Sequence, residues 1–328
     1  MAAEQNTTQP IVPKSSQYDN LLAQRKKLRR KAQARTAMPL YLMLLPGLIY
    51  IIANNYLPMF GILIAFKKVN FSIGIFQSPW CGLDNFEFLF KTKDAWTMIR
   101  NTVCYNAVWI VLGLVISITI AILMAEISNR RAAKIIQPVI CFPSMVSAVI
   151  LSFLVYGFLS KSYGFLNTTI YKDHPINWYA SAQYWPFILT IVHFWQSSGQ
   201  SSIIYMASIG GIDKGLYESA RIDGATKMQQ IRHITLPMLR PMVTLMLLMA
   251  IGKIFNSDFG MFYQVPLGQG LLIKTTQTID TYVYRALLEM NNVGMSSAAS
   301  VFQAIIGFIL VIVSNAIVRK VDSENALF

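Results

Sequence analysis

Residues 101–125 read NTVCYNAVWIVLGLVISITIAILMA, twenty-five positions without Asp, Glu, Lys or Arg. A helix needs about 20 mostly apolar residues to cross a hydrocarbon core of roughly 30 Å. This stretch meets that length, which a buried helix of a soluble domain rarely does. Outward from it, residues 38–66, 135–160 and 293–318 are equally free of charge. A further block, 184–206, carries the single histidine His193, and another, 237–262, is interrupted by Arg240, Lys253 and Asp258. The pattern predicts an all-α integral membrane protein with six transmembrane helices. A β-barrel would show alternating segments of about ten residues instead.

Composition points the same way. Hydrophobic residues make up 54% of the 328 and charged residues 13%, against about 25% charged in an ordinary globular domain. That excludes a disordered chain, which needs low hydrophobicity and high charge. Three cysteines, Cys81, Cys104 and Cys141, without paired spacing exclude a disulfide scaffold. The first apolar block is too long for the core of a signal peptide, and 37 mostly polar residues precede it.

Basic residues flanking the helices set the orientation. With a cytoplasmic N-terminus, 18 of the 28 Lys and Arg fall on the inner side. Both termini are therefore expected in the cytoplasm. Much of the net charge of +13 is this bias. The cluster from Arg25 to Lys31 reads as a positive-inside anchor and not as a nucleic-acid patch. The domain reading is a basic cytoplasmic extension, 1–37, followed by a six-helix domain, 38–328. Segments 67–100, 161–183 and 263–292 are expected outside.

The segment between the fourth and fifth blocks, residues 211–237, reads GIDKGLYESARIDGATKMQQIRHITLP. Asp213 can cap a short helix, and Gly224 can end it in a left-handed conformation. Leu216, Ser219, Ala220 and Asp223 recur at helical spacing, giving a face of small residues. Thr226 and Gln229 form a capping box for a second helix, and Pro237 is expected to open the fifth span. The result is a helix–turn–helix on the inner membrane face.

Glu218-Ser219-Ala220, Gly224 and then Leu236-Pro237 resemble the EAA loop of permease subunits in bacterial ABC importers. Ser219 stands where that family usually has alanine. Tyr217 to Pro241 is similar to the carbohydrate-importer branch, relatives of the maltose permeases. The strings Phe255 to Gly260 and Asp280 to Arg285 resemble the LplB-type polysaccharide permeases. The resemblance implies a type I importer permease in a bacterial plasma membrane, with a cytoplasmic coupling helix–turn–helix between helices 4 and 5. It implies that Glu218, Ser219, Ala220, Asp223, Gly224, Leu236 and Pro237 form the ATPase-coupling site. The implied partners are a second, paralogous permease, an ABC ATPase dimer, an extracellular solute-binding protein and an oligosaccharide cargo. No cofactor belongs to this chain; ATP and Mg are expected on the ATPase.

The residues agree that ATP is handled elsewhere. A phosphate-cradling P-loop needs glycine before its lysine, yet Ile273 precedes Lys274-Thr275. His174, His193 and His233 lack metal-ligand spacing. Asp258, Asp280 and Glu289 share one stretch and read first as solvated charges. On the fourth helix His193, Gln196 and Gln200 form a polar stripe near mid-membrane, with Ser197 and Trp195 close by. Polar groups at that depth face protein or water, so the stripe is a candidate translocation path, with Asn256 and Lys253 as further candidates. Interhelical hydrogen bonding is the alternative role. Other readings of the chain are a membrane-bound carbohydrate enzyme of glycosyltransferase type, or the same permease carrying a non-sugar solute.

Overall fold

The computed structural model describes Leu22, Lys26, residues 37–127 and residues 129–321. Of the expected basic extension, 1–37, all but Leu22, Lys26 and Ala37 lies outside the described residues. Among the described residues the regular structure is helical, apart from one isolated bridge between Lys67 and Trp80. The chain divides into two units, one ending at Gly61 and one beginning at Ile62.

Helix α1, Ala37–Phe66, is 30 residues long. Its apolar side chains in the first unit, including Leu42, Met43 and Tyr50, are exposed. The helix loosens into a π turn at Ile52–Tyr56 and tightens into a 3-10 segment over Leu57–Phe66. Pro58 explains the change, because it lacks an N–H and its ring clashes with the carbonyl four residues back.

In the second unit α2, Lys93–Ala125, runs unbroken for 33 residues. Thr92 caps it by accepting the Ala95 N–H at 3.2 Å. At 1.5 Å per residue α2 is roughly 50 Å long, more than a hydrocarbon core requires. The block expected as one span over 135–160 is instead two helices. They are α3, Arg130–Cys141, and α4, Ala148–Leu159, separated by a 3-10 turn at Phe142–Met145. The pair is bent by 94°. Pro138 and Pro143 each remove a backbone donor, and Val146 and Ser147 are extended. Ser147 then starts α4 by accepting the Ile150 N–H at 3.4 Å.

Helix α5 spans Trp185–Gly210, α6 Lys214–Ile222, α7 Lys227–Met238 and α8 Arg240–Gly252. Two more follow, α9 over Ile279–Leu288 and α10 over Val293–Val321. Pro237 does not open the fifth apolar helix. It lies in the last turn of α7, and α8 begins at Arg240 after a 56° bend. Pro241 cannot donate to the carbonyl of Pro237, so the helix cannot run straight through. The expected block 237–262 also stops early, with α8 ending at Gly252.

By length and composition α1, α2 and α10 can cross a membrane, and the two bent pairs raise the number to five. Helix α5 occupies the place of the remaining expected span and has 26 residues. Its serines and glutamines between Gln196 and Ser202 make it less apolar than the others.

Two aromatic-rich clusters hold the second unit. In one, Trp185 and Leu189 of α5 pack with Tyr105 and Trp109 of α2 and with Leu151 of α4. Tyr105 meets Phe262 edge to face at 4.8 Å. Trp185, fully buried, also donates Nε1–H to the Trp178 carbonyl at 2.9 Å. The other cluster joins Met98 of α2 to Ile279 and Ala286 of α9 and Ala298 of α10. Gly199 permits α5 to approach α3 closely, since a Cβ there would lie 2.1 Å from the Ile140 carbonyl oxygen.

Candidate functional site

The two halves of the helix–turn–helix are fixed by local chemistry. Asp213 Oδ1 accepts the Gly215 N–H at 2.9 Å and starts α6. Gly224 has φ +80°, and the Ala225 and Gly224 N–H groups return to the Ala220 and Arg221 carbonyls. That pairing is the Schellman closure, which satisfies the Ala220 and Arg221 carbonyls at the helix end. Thr226 and Gln229 complete the reciprocal capping box of α7. The Tyr217 hydroxyl meets Thr235 Oγ1 at 2.9 Å, and buried Gln230 donates to the Ala225 carbonyl. Lys227 pairs with Glu126 at 2.5 Å, tying α7 to the end of α2.

The outer side of this assembly carries Glu218, Ser219 and Asp223, all exposed, with Ala220 half-buried. Leu216 is exposed, and Ile222 is 87% exposed. Ala220, Asp223 and Gly224 line a hollow of about 410 Å³ shared with Gln229 and His233. Glu218 faces a second hollow of about 480 Å³, with Tyr217, Arg221 and Lys227. Leu236, exposed, and Pro237, half-buried, lie further along at the α7–α8 bend. The small-residue face thus projects outward, with no buried side chain in α6.

A separate cavity of about 390 Å³ lies between α2, α5 and α8. Asn106, Trp109 and Ser117 line it from α2, and His193, Ser197, Ser201 and Tyr205 from α5. Lys253, Asn256 and Ser257 close it just beyond α8. Trp109 and His193 stack face to face, their centroids 3.7 Å apart and their planes 8° from parallel. Asn106 Nδ2 donates to the Ile254 and Asn256 carbonyls, at 2.8 Å each, and so holds the chain where α8 breaks.

Of the expected path residues, His193 and Asn256 line this cavity and Gln196 and Gln200 do not. Gln196 Nε2 instead donates to the Val146 carbonyl at the α3–α4 bend, 3.0 Å away. Gln200 is exposed. The lining row on α5 advances by four residues, from His193 through Ser197 and Ser201 to Tyr205, whereas the expected stripe advanced by three and then four. At about 100° per residue the two rows diverge to either side of His193, so that Gln196 and Tyr205 point roughly 180° apart. Asn106 and Trp109 were missed because residues 101–125 read only as an apolar block. The signal was a polar amide and an indole at i and i+3 inside that block.

Of the three carboxylates of the 258–289 stretch, Asp258 and Glu289 are exposed, as solvated charges would be, and Asp280 is half-buried and bonded. Asp280 accepts from the Ser257 backbone at 2.5 Å, the Ser257 hydroxyl at 2.7 Å and Gln303 at 3.2 Å. Asp258 accepts the Met261 N–H, and Glu289 lies 3.9 Å from Arg285. Burial raises the Tyr282 phenol above its ordinary value. Its ring stacks on Phe88 with centroids 5.1 Å apart.

Residues 117–324 match the family model described as "Binding-protein-dependent transport system inner membrane component". The chain is similar to the polygalacturonan/rhamnogalacturonan transport system permease protein YteP of Bacillus subtilis (strain 168). The two are 33% identical over 293 residues, covering 87% of this chain and 89% of the relative. Protein LplB of the same organism is 30% identical over 288 residues, with 87% and 90% covered. Among solved structures, one chain of a bacterial ABC transporter involved in the import of the acidic polysaccharide alginate superposes with a TM-score of 0.80. It is 29% identical and covers 90% of this chain and 99% of its own.

Proposed function

We propose a mechanism from this premise: the chain belongs to the binding-protein-dependent transport system inner membrane component family. It is a permease subunit of an ABC importer, and ATP hydrolysis resides in a separate subunit. The cargo is an oligosaccharide or polysaccharide fragment, in keeping with the cargoes that its relatives are named for. An extracellular solute-binding protein delivers the sugar, as in the alginate importer solved with its oligosaccharide-bound periplasmic protein. A second permease completes the channel, and an ABC ATPase dimer carries ATP and Mg.

In this reading residues 38–328 form a six-span permease domain, with α5 as the fourth span and both termini in the cytoplasm. Residues 1–37 are its basic cytoplasmic extension. The pair α6–α7 is the cytoplasmic coupling element. The carrying observation is its outward face, where exposed Leu216 and Ile222 flank Ser219 and Asp223 on a helix capped at both ends. Two exposed apolar side chains on one short helix, Leu216 and Ile222, rimmed by Glu218, Ser219 and Asp223, support a partner surface where small neighbours allow backbone approach. Glu218 is placed to pair with a basic residue of the ATPase. Ala220 and Gly224 admit close contact, and Leu236 and Pro237 relay movement at the α7–α8 bend.

Glu218→Lys and Gly224→Asp should insert normally yet lose ATPase attachment and lower uptake roughly tenfold or more, the effect of about 1.4 kcal/mol. Co-purification of the ATPase and sugar uptake into vesicles are the measurements. Unchanged uptake by both variants would remove the coupling assignment.

A further inference from the structure

Four phenylalanines, Phe66, Phe86, Phe90 and Phe302, enclose with Leu83 and Ile305 a hollow of about 700 Å³ beside α10. Its level in the membrane follows from α2. Glu126 ends the charge-free run of that helix and is tied to α7. About 20 residues cross a hydrocarbon core, so the opposite boundary of the core lies near Asn106. Asn106 donates to the Ile254 and Asn256 carbonyls, and Gln303 of α10 donates to the Phe255 carbonyl between them at 2.8 Å. Gln303 and Asn106 therefore stand at one level. Phe302 and Ile305, close to Gln303 on α10, put the hollow at the membrane boundary remote from the coupling element. Counting about 20 residues back from Arg319 along α10 reaches Ala299, roughly one turn away.

The segment that borders the hollow is amphipathic. A 3-10 turn, Asp84–Phe86, continues into a short helix, Glu87–Lys91. Leu83, Phe86 and Phe90 recur at helical spacing and line the hollow, with Phe90 80% exposed. Asp84, Glu87 and Lys91 repeat the spacing one residue further along. These three also line a second hollow, of about 690 Å³, with Lys68 and Asn292. Aromatic side chains to one side and charged ones to the other suit a segment lying in a membrane interface. Phe88 and Leu89 anchor the segment in the core, and Phe66 packs on Phe86 at 5.3 Å, so the recess is built into the fold.

Two kinds of molecule reach an apolar recess at that level, a second membrane helix or a lipid. Helices in a bilayer pack through small residues that let backbones approach. Among the described residues no Gly, Ala, Ser or Thr lines this hollow. Its bulky walls leave a space that a flexible chain fills, and its charged rim meets a polar group at the end of that chain. We propose that the hollow seats a phospholipid of the leaflet remote from the coupling element. One acyl chain lies against Phe302 and Ile305, and the headgroup sits at the rim formed by Asp84, Glu87 and Lys91. The lipid thereby bridges α10 and the Leu83–Lys91 segment, whatever sugar the importer carries.

The test is site-specific photo-crosslinking in membranes of cells that produce the whole importer. Phe90→p-benzoylphenylalanine, irradiated in place, should give this chain the added mass of one phospholipid. Irradiation is then repeated on complex washed in detergent, which dilutes bulk lipid and leaves lipid held in a built site. The adduct should survive the wash. Ile305→Trp, which fills the hollow, should lower the washed adduct roughly tenfold, the effect of about 1.4 kcal/mol. Leu83→Trp fills the same space from the opposite wall and gives the reading if the Ile305 variant does not assemble. A cross-link to the second permease or to the binding protein in place of lipid would overturn the proposal. So would an adduct that vanishes on washing, which marks bulk lipid only, or one that the tryptophan variants leave unchanged.

Discussion

Gln196 lies on α5 beside the sharp turn between α3 and α4, and its amide donates to the Val146 carbonyl at 3.0 Å. Val146 ends a 3-10 turn in an extended conformation, so no helix of its own supplies that carbonyl with a donor. Where water is scarce, an unmet carbonyl is costly. Gln196→Leu should therefore lower the stability of the detergent-solubilised complex by about 0.5–1.5 kcal/mol, the size of an interhelical side-chain bond within a membrane. Uptake per assembled complex should remain near normal. The reverse result, full stability with lost transport, would return Gln196 to the path. The polarity of this face was legible in the sequence, and its direction was not. His193 sits between two possible rows, and the row that the cavity uses depends on where α3 packs.

At the scale of elements, the caps of α6 and α7 were legible because they are local. Asp213, Gly224, Thr226 and Gln229 act on backbone groups two to five residues away. The bends were not read, although Pro138, Pro143, Pro237 and Pro241 stood in view. An apolar run has the same length whether its helix is straight or broken, and the angle is set by what packs into the break. At the α3–α5 contact that partner is Gly199, where an added Cβ would strike the Ile140 carbonyl oxygen at 2.1 Å. Gly199→Ala should destabilise the protein by about 1–3 kcal/mol, as over-packing does. Gly157→Ala, at a site with open space around it, should cost little and serves as the control. Thermal melting of the two purified variants checks the difference; equal melting temperatures would mean that α3 can move aside freely.

For the whole molecule, the prediction concerns sidedness. The distribution of basic residues, 18 of 28 on one side, predicts α6–α7 in the cytoplasm and the segment after α4 outside. Single cysteines at Met228 and Tyr163, both strongly exposed, should separate cleanly in intact cells. Tyr163→Cys should react with membrane-impermeant maleimide and Met228→Cys only with a permeant one. External labelling at position 228 would overturn the topology and the cytoplasmic coupling role together. The all-helical membrane class was legible from the apolar blocks alone. The number of spans is harder, because a helix that faces a cavity on one side is free to carry polar residues there. That is the physical reason α5, with Ser197 and Ser201 facing the cavity, falls below the apolarity of its neighbours.

The unbroken course of α2 has a mechanical consequence. A straight helix acts as a rod and passes a displacement along its length, whereas a proline break acts as a joint and absorbs it. One end of this rod is tied to α7 by Glu126 and Lys227, and its body carries Asn106 and Trp109 at the cavity wall. A push at the helix–turn–helix can reach that wall through α2 without crossing a joint. The same push entering along α8 must first pass the 56° bend. The tie at Glu126 is exposed on both partners, so the stiffness of this linkage should fall as salt screens it. The rod then remains intact while its grip on α7 slackens.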